Sequence, residues 1–200
     1  MNGRFFVVVF VTLFGVLAVF NGAAWAGGNV NIMYGQKSLD EDDWDPVQDQ
    51  REYGLMIDFK GNDNWPFSIA LDFLKSYDDS DLYLSDYGIV LDTEGETQEL
   101  DLGIRKYFQV TKSFKPYIGG GVAFISAEKS ASYAGESIPF DGSGVGFWLS
   151  GGMVFTIAER FNIGVDLRYS AADATLSYEY YDWDVEAGGT HLLVFAGVHF

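Results

Sequence analysis

The 200-residue chain contains no cysteine. This excludes a disulfide scaffold, a thiolate metal site and lipid attachment through an N-terminal cysteine. Only 4 prolines occur, so little in the chain forces strands to stop. Basic side chains are scarce: 12 Lys and Arg stand against 29 Asp and Glu, a formal net charge of −17. Phosphate binding needs a basic face, so nucleic acid is excluded as a partner. Beyond residue 26 no run approaches 18 consecutive apolar residues, the least a membrane-spanning helix requires. What is abundant is aromatic and small: 17 Phe, 12 Tyr, 5 Trp and 24 Gly, with 48% of residues hydrophobic. That composition excludes disorder, and the length fits one domain.

Residues 1–26 read as an address. Arg4 precedes an apolar run from Phe5 to Phe20, interrupted only by Thr12, and the stretch ends in Ala24-Trp25-Ala26 before Gly27-Gly28. A charged start, an apolar centre and a small-x-small exit are the pattern of a cleaved secretory signal. The expected organisation is therefore a signal peptide over 1–26 and one domain over 27–200. Loss of Arg4 leaves 11 basic and 29 acidic residues, so the mature charge is 11 − 29 = −18.

The remainder alternates with period two in windows of about ten residues, the signature of strands. Tyr53, Leu55, Ile57 and Phe59 oppose Gly54, Met56 and Asp58; Phe67, Ile69, Leu71 and Phe73 oppose Ser68, Ala70 and Asp72. Leu100, Leu102 and Ile104 oppose Glu99, Asp101 and Arg105; Ile163, Val165 and Leu167 oppose Asp166 and Arg168. With the last window, 190–200, and weaker ones at 28–37, 116–129 and 144–157, eight strands are expected. Long connections at 38–50, 78–97, 130–143 and 171–189 alternate with short ones at 61–66, 109–115 and 158–160. The expected fold is all-β, an eight-stranded antiparallel up-and-down transmembrane β-barrel with short periplasmic turns and long extracellular loops. A soluble ligand-binding barrel alternates equally well with its apolar face inside. Two features favour the membrane form. Aromatics gather at both strand ends, as interfacial girdles do (Phe59, Phe67, Phe108, Phe161 and Phe200; Tyr34, Tyr53, Tyr77, Phe124, Phe147 and Tyr169). Charges also sit mid-strand on the polar face, so Asp58, Asp72, Glu99, Asp101, Arg105, Asp166 and Arg168 are expected to form a paired network inside the barrel.

The last strand, with Leu192, Val194, Ala196, Val198 and Phe200 in phase and an aromatic C-terminus, resembles the insertion signal of bacterial outer-membrane barrels. Val198 stands where that pattern often has a second aromatic. Leu102 to Phe108 followed by Pro116 to Gly121, and Glu159 to Ser170, look like strands of small eight-stranded porin-like proteins. The resemblance covers nearly the whole mature chain. It implies a bacterial outer-membrane location, contact with outer-membrane lipids and lipopolysaccharide, and the barrel assembly machinery as a partner during insertion. It is specific for architecture and weak for activity, since such barrels include adhesins, small channels and lipid enzymes.

Chemistry is sparse. The two histidines, His191 and His199, lie eight residues apart on one strand face, or about 27 Å at ~3.4 Å per residue, and cannot share a site. His191 near the loop rim is placed to act as a base with Ser170 or Ser177 in a lipid A-modifying enzyme; its bland role is an ordinary polar rim residue. No Gly-x-Ser-x-Gly or His-Glu-x-x-His motif occurs. Acid clusters in three loops, with seven residues in 38–52, eight in 78–99 and five in 171–189. Such carboxylates suit weak bridging by Ca²⁺ or Mg²⁺ without composing a defined metal site. Loop aromatics (Trp44, Tyr83, Tyr87, Tyr178, Tyr180, Tyr181 and Trp183) suit an adhesive surface or, more simply, packing within hairpins that extend the strands. The expected protein has no catalytic residue and no cofactor. Its expected role is structural or surface-interacting, with a mostly filled polar lumen, and a narrow channel for small or hydrophobic solutes is the alternative.

Overall fold

A computed structural model describes residues 27–61, 64–84, 89–133, 136–178 and 181–200. The expected signal segment 1–26, and Tyr87 and Tyr180 of the loop aromatics, lie outside the described residues. The strands are β1 (Gly28–Ser38), β2 (Asp49–Phe59), β3 (Ser68–Leu84), β4 (Ile89–Tyr107), β5 (Phe114–Tyr133), β6 (Glu136–Ile157), β7 (Phe161–Ala171), β8 (Asp173–Tyr178), β9 (Tyr181–Glu186) and β10 (Gly189–His199). A single helical turn, α1 (Glu41–Trp44), lies between β1 and β2.

From β1 to β7 each strand pairs antiparallel with the next, β7 pairs with β10, and β1 pairs with β10 from Asn29↔His199 to Ser38↔Thr190, while β8 pairs with β6 and β9. Bonds between Gly28 and Phe200, N to O at 2.7 and 3.0 Å, finish that seam. β8 continues β7 past Ala172 and β9 leads into β10, with Ala187 N donating to Ala172 O at 2.9 Å. The ring is therefore a closed eight-stranded barrel, which leaves no strand edge unpaired around the wall.

Burial decides which face of the alternation points outward. Leu102, Ile104, Ile163, Leu167, Leu192 and Val194 are exposed on the outer wall, whereas Asp58, Asp72, Asp101, Arg105, Asp166 and Arg168 are buried inside. The apolar face points outward, which removes the soluble ligand-binding barrel. Tyr34, Tyr53, Phe147 and Tyr169 are exposed toward the loop end, and Trp65, Phe108, Phe161 and Phe200 toward the turn end.

The long connections differ from simple loops. β5 and β6 run for 20 and 22 residues and stay paired to Tyr133↔Glu136. β3 and β4 stay paired to Leu84↔Ile89. At ~3.4 Å per residue these strands far outrun a hydrocarbon layer of about 30 Å, so within the segments expected as loops, 78–84 with 89–97 and 130–133 with 136–143 are two-stranded extensions. Register inherited from the barrel carries them, because every residue added outside the membrane still finds its cross-strand partner.

Glycines on the inner wall make room for rings. A Cβ on Gly119 would lie 3.1 Å from the indole of Trp148, and one on Gly152 would lie 2.5 Å from the Tyr117 hydroxyl. An eight-stranded barrel is only wide enough for side chains to fill, so two inward aromatics require bare backbone opposite them. This explains the glycine-rich, weakly alternating windows of β5 and β6.

Candidate functional site

The lumen is the site with the densest chemistry. Arg168 on β7 sits at its centre: Nη1 donates to Asp101, Nη2 to Asp72 at 2.5 Å, and Nε to Asp166 Oδ1 at 3.4 Å. Arg105 on β4 donates to Asp58 Oδ1 and Asp72 Oδ2, each at 2.6 Å. Asp72 therefore joins both guanidinium groups. The indole of Trp148 lies 4.9 Å from Arg168 Cζ and 5.6 Å from Arg105 Cζ, and Tyr117 lies 5.3 Å from the latter. All these side chains are fully or almost fully buried, where ions persist only when paired and hydrogen-bonded. Strands β2, β3, β4 and β7 are thus tied across the lumen as well as along the wall.

Among the described residues the buried set holds six carboxyl side chains (Glu52, Asp58, Asp72, Glu99, Asp101 and Asp166) and three Lys or Arg side chains (Lys37, Arg105 and Arg168). Neutral donors serve the surplus. Tyr107 donates to Asp58 at 2.5 Å, Tyr117 to Asp166 at 2.6 Å and Ser170 to Glu99 at 3.0 Å.

Nearer the loop end, Lys37 Nζ donates to Thr97 Oγ1 at 3.1 Å, Glu99 Oε2 at 3.3 Å and Ala187 O at 3.0 Å. His191 corrects its expected place as a polar rim residue, because its side chain is wholly buried. Its Nδ1 lies 2.9 Å from Glu52 Oε2 and its Nε2 3.0 Å from Ser170 Oγ. Glu52, expected in an extracellular loop, is buried with it. The order Ser–His–Glu resembles a nucleophile, base and orienting acid. Here the serine proton is shared with Glu99, and neither Ser170 nor His191 exposes any surface to a substrate. The arrangement reads as lumen bracing.

Two apolar clusters complete the filling, so the lumen is less polar than expected. Met33, Met56, Leu74, Tyr117, Val154, Leu193 and Phe195 form one. The other lies at the loop end, where α1 turns inward. Asp40 caps α1 through Asp42 N at 3.0 Å, as an Asp at this position does. Trp44 and Val47 then pack with Leu39, Ala127, Ala174 and Val185. Trp44 Nε1 donates to Glu186 O at 2.8 Å, and Asp43 Oδ2 accepts from Glu186 N at 2.8 Å. Lys129 Nζ donates to the carbonyls of Asp43 and Asp45 at 3.0 and 3.2 Å. Its partial burial pulls the ammonium below the ordinary lysine range, opposed by the charges of Asp45 and Asp43. Trp44, expected to sit in a loop hairpin, is instead a stopper with no exposed surface.

All seven residues expected in the inner network (Asp58, Asp72, Glu99, Asp101, Arg105, Asp166 and Arg168) face the lumen. The terminal set of Leu192, Val194, Ala196, Val198 and Phe200 is exposed on the outer wall beside β1. Lys37, Glu52, Tyr107, Tyr117 and Trp148 were not singled out by sequence. Stepping the inward phase of β2 from Met56 back through Gly54 reaches Glu52, so that signal was present. Among the described residues no three His, Asp or Glu side chains converge as a metal site.

A closed barrel with an apolar outer wall, aromatic bands at both rims and a braced charged interior defines a protein that crosses a membrane with strands. The chain belongs to the outer membrane protein beta-barrel domain family, whose pattern matches residues 6–191, and it resides in the bacterial outer membrane. No curated protein sequence matches it. Its fold is similar to that of Ail, the attachment invasion locus protein of Yersinia pestis, solved with the heparin analogue sucrose octasulfate. There the identity is 15%, the TM-score 0.59, and coverage 87% of this chain and 98% of that one. It is similar also to the outer membrane protein OprG of Pseudomonas aeruginosa, at 15% identity, TM-score 0.58, and 87% and 93% coverage. A major outer membrane protein of Thermus thermophilus shares 10% identity with a TM-score of 0.59, over 88% and 100% of the chains.

Proposed function

We propose that this protein is a closed-lumen barrel that serves the outer membrane as a structural and surface-interacting element, without catalysis. The observation that carries this reading is the cross-brace of Arg105 and Arg168 with Asp58, Asp72, Asp101 and Asp166, all buried. With Trp44 above it and Tyr117 and Phe195 beside it, the brace occupies the cross-section through which a solute would pass. Conductance in planar bilayers tests this. Silence over many insertions is expected, and reproducible ohmic steps would overturn the closed-lumen reading in favour of a narrow channel.

The surface chemistry supports a role at the cell exterior. Beyond the barrel, β3 and β4 set like charges opposite one another, Asp79↔Glu94 and Asp81↔Asp92, and β8 and β9 do so at Asp173↔Glu186. Directly opposed like charges destabilise a ladder; Arg51 pairs with Asp79 at 3.4 Å, and Lys75 pairs with the neighbouring Glu96 at 2.6 Å. Divalent cations shared with lipopolysaccharide phosphates are the chemistry that relieves the remainder. A polyanion such as that bound to Ail has no basic face here to receive it, so the partner surface is cationic or cation-bridged. Residues 1–26 act as the export signal in this reading, and Leu192, Val194, Ala196, Val198 and Phe200 present the strand that the barrel assembly machinery receives.

A further inference from the structure

The lumen holds more carboxyl groups than cations, and the mismatch falls on one pair. Six buried carboxyl side chains share the interior with Lys37, Arg105, Arg168 and His191. Glu99 and Asp101 stand two apart on β4, so both side chains point inward. Lys37 Nζ and Ser170 Oγ both donate to Glu99 Oε2, at 3.3 and 3.0 Å, and Arg168 Nη1 donates to Asp101 Oδ2. His191 Nε2 lies 3.8 Å from the same Glu99 oxygen. Among the described residues these donors serve one oxygen of each group. The other two oxygens, Glu99 Oε1 and Asp101 Oδ1, are buried and receive no hydrogen bond.

The two carboxyl groups also lie within hydrogen-bond reach of each other. Two ionised carboxylates so placed offer only acceptors, and their repulsion is strong in a low-dielectric interior. The surroundings do not relieve it. Asp72, directly opposite Asp101 on β3, adds a third acidic group. Arg168 is already divided among Asp72, Asp101 and Asp166, and Arg105 is engaged by Asp58 and Asp72. Tyr107 and Tyr117 give their hydroxyl protons to Asp58 and Asp166, and Glu52 of β2 holds His191. A single proton removes both defects, because it cancels one charge and supplies the donor that both orphaned oxygens lack.

We propose that Glu99 and Asp101 form a proton-binding site, an acid–carboxylate pair in which one proton bridges Glu99 Oε1 and Asp101 Oδ1 in the folded barrel. The proton is taken from the buffer as closure buries the two groups together. One O–H bond forms, the opposite oxygen accepts from it, and the pair keeps a single negative charge. That charge is flanked by Lys37 on one side and Arg168 on the other. The proton belongs to the pair rather than to either residue. It links the loop-end cluster of Lys37, Ser170 and His191 to the arginine brace below.

Infrared difference spectroscopy of the full-length barrel in lipid at neutral pH tests this. Asp101→Asn and Glu99→Gln each replace the bridge by an amide N–H that donates to the remaining carboxylate, so each keeps the charge and the hydrogen bond of the protonated pair. Heat-modifiable mobility on gels shows that each variant is folded. Subtracting either variant from the parent is expected to show loss of one carboxylic-acid C=O band, shifted in deuterium oxide, with the carboxylate bands unchanged. Loss of a carboxylate band with the acid band unchanged would overturn the proposal. Absence of any carboxylic-acid band from the parent spectrum would do so whatever the variants show. Unfolding in weakly buffered guanidinium with a pH indicator gives an independent count. The parent is expected to release one proton more than Asp101→Asn, and equal release would contradict the bridge. An unfolding midpoint that depends on sodium against choline, without the acid band, would reassign the two oxygens to an alkali cation.

Discussion

Replacing Arg168 by Met tests whether the lumen is braced or merely filled. Methionine keeps much of the apolar stem and removes the guanidinium, leaving Asp101, Asp166 and one arm of Asp72 without their partner. Removing one member of a buried ion network costs about 3–5 kcal/mol, most of it from charge left uncompensated. The stacking of Arg168 on Trp148, 4.9 Å from Cζ to ring centroid, adds about 0.5–2 kcal/mol. Guanidinium unfolding of the reconstituted barrel, followed by tryptophan fluorescence, has a slope of roughly 4 kcal/mol per molar for a domain of this size. The midpoint is therefore expected to fall by about 1 M. Adding Asp101→Asn and Asp166→Asn to Arg168→Met removes two of the stranded charges and is expected to restore part of the loss. Arg168→Lys keeps the charge without the planar fork that reaches three carboxylates, and should fall between the parent and Arg168→Met. A midpoint unchanged by Arg168→Met, or a triple variant less stable than the single one, would refute the bracing argument.

The loop-end stopper is separable from the brace: Trp44→Ala should cost about 3–5 kcal/mol, as for other buried aromatics, yet leave planar bilayers silent because the arginines still close the section. Conductance appearing in that variant alone would show that Trp44 is the barrier. Lys129 should impose a pH slope. Its folded-state proton affinity is depressed by burial, so the unfolded chain binds the proton more tightly, and stability should rise with pH between the depressed value and about 10.4. Lys129→Met should lose that slope, and parallel thermal midpoints for the two proteins from pH 8 to 10.5 would contradict it. Calcium at millimolar concentration should raise the melting temperature of the parent but not of Asp81→Asn with Asp92→Asn, and superimposable curves with calcium and with chelator would remove cation bridging.

Several of these features are legible in the residue order, and their limits follow from period two. Alternation shows which residues share a face. In β2 and β4 the mid-strand charges Asp58, Asp101 and Arg105 reveal that face as the inner one, because a lipid-facing charge is costly. The same alternation is blurred in β6, where Gly151 and Gly152 replace side chains and the inward Trp148 carries no charge to mark it. Acidic connections read as loops because Asp and Glu are poor strand formers. They pair nonetheless, since register is set by the barrel below them. Glu52 reads as part of a loop from its acidic, external neighbours in sequence, although its phase with Met56 and Asp58 points inward.

The sequence by itself determined the eight wall strands, the separation of apolar and charged faces, the girdles and the all-β architecture, because each depends on spacing along one strand. Tertiary structure alone decided the partners. Arg168 meets Asp72 and Asp101, and His191 meets Glu52 and Ser170, only after closure sets eight inner faces around one axis. The same closure brings α1 over the loop-end mouth, so that Trp44 becomes a stopper. These contacts join residues that are far apart in the chain. Their identity follows from strand stagger and barrel radius, quantities that no single strand carries.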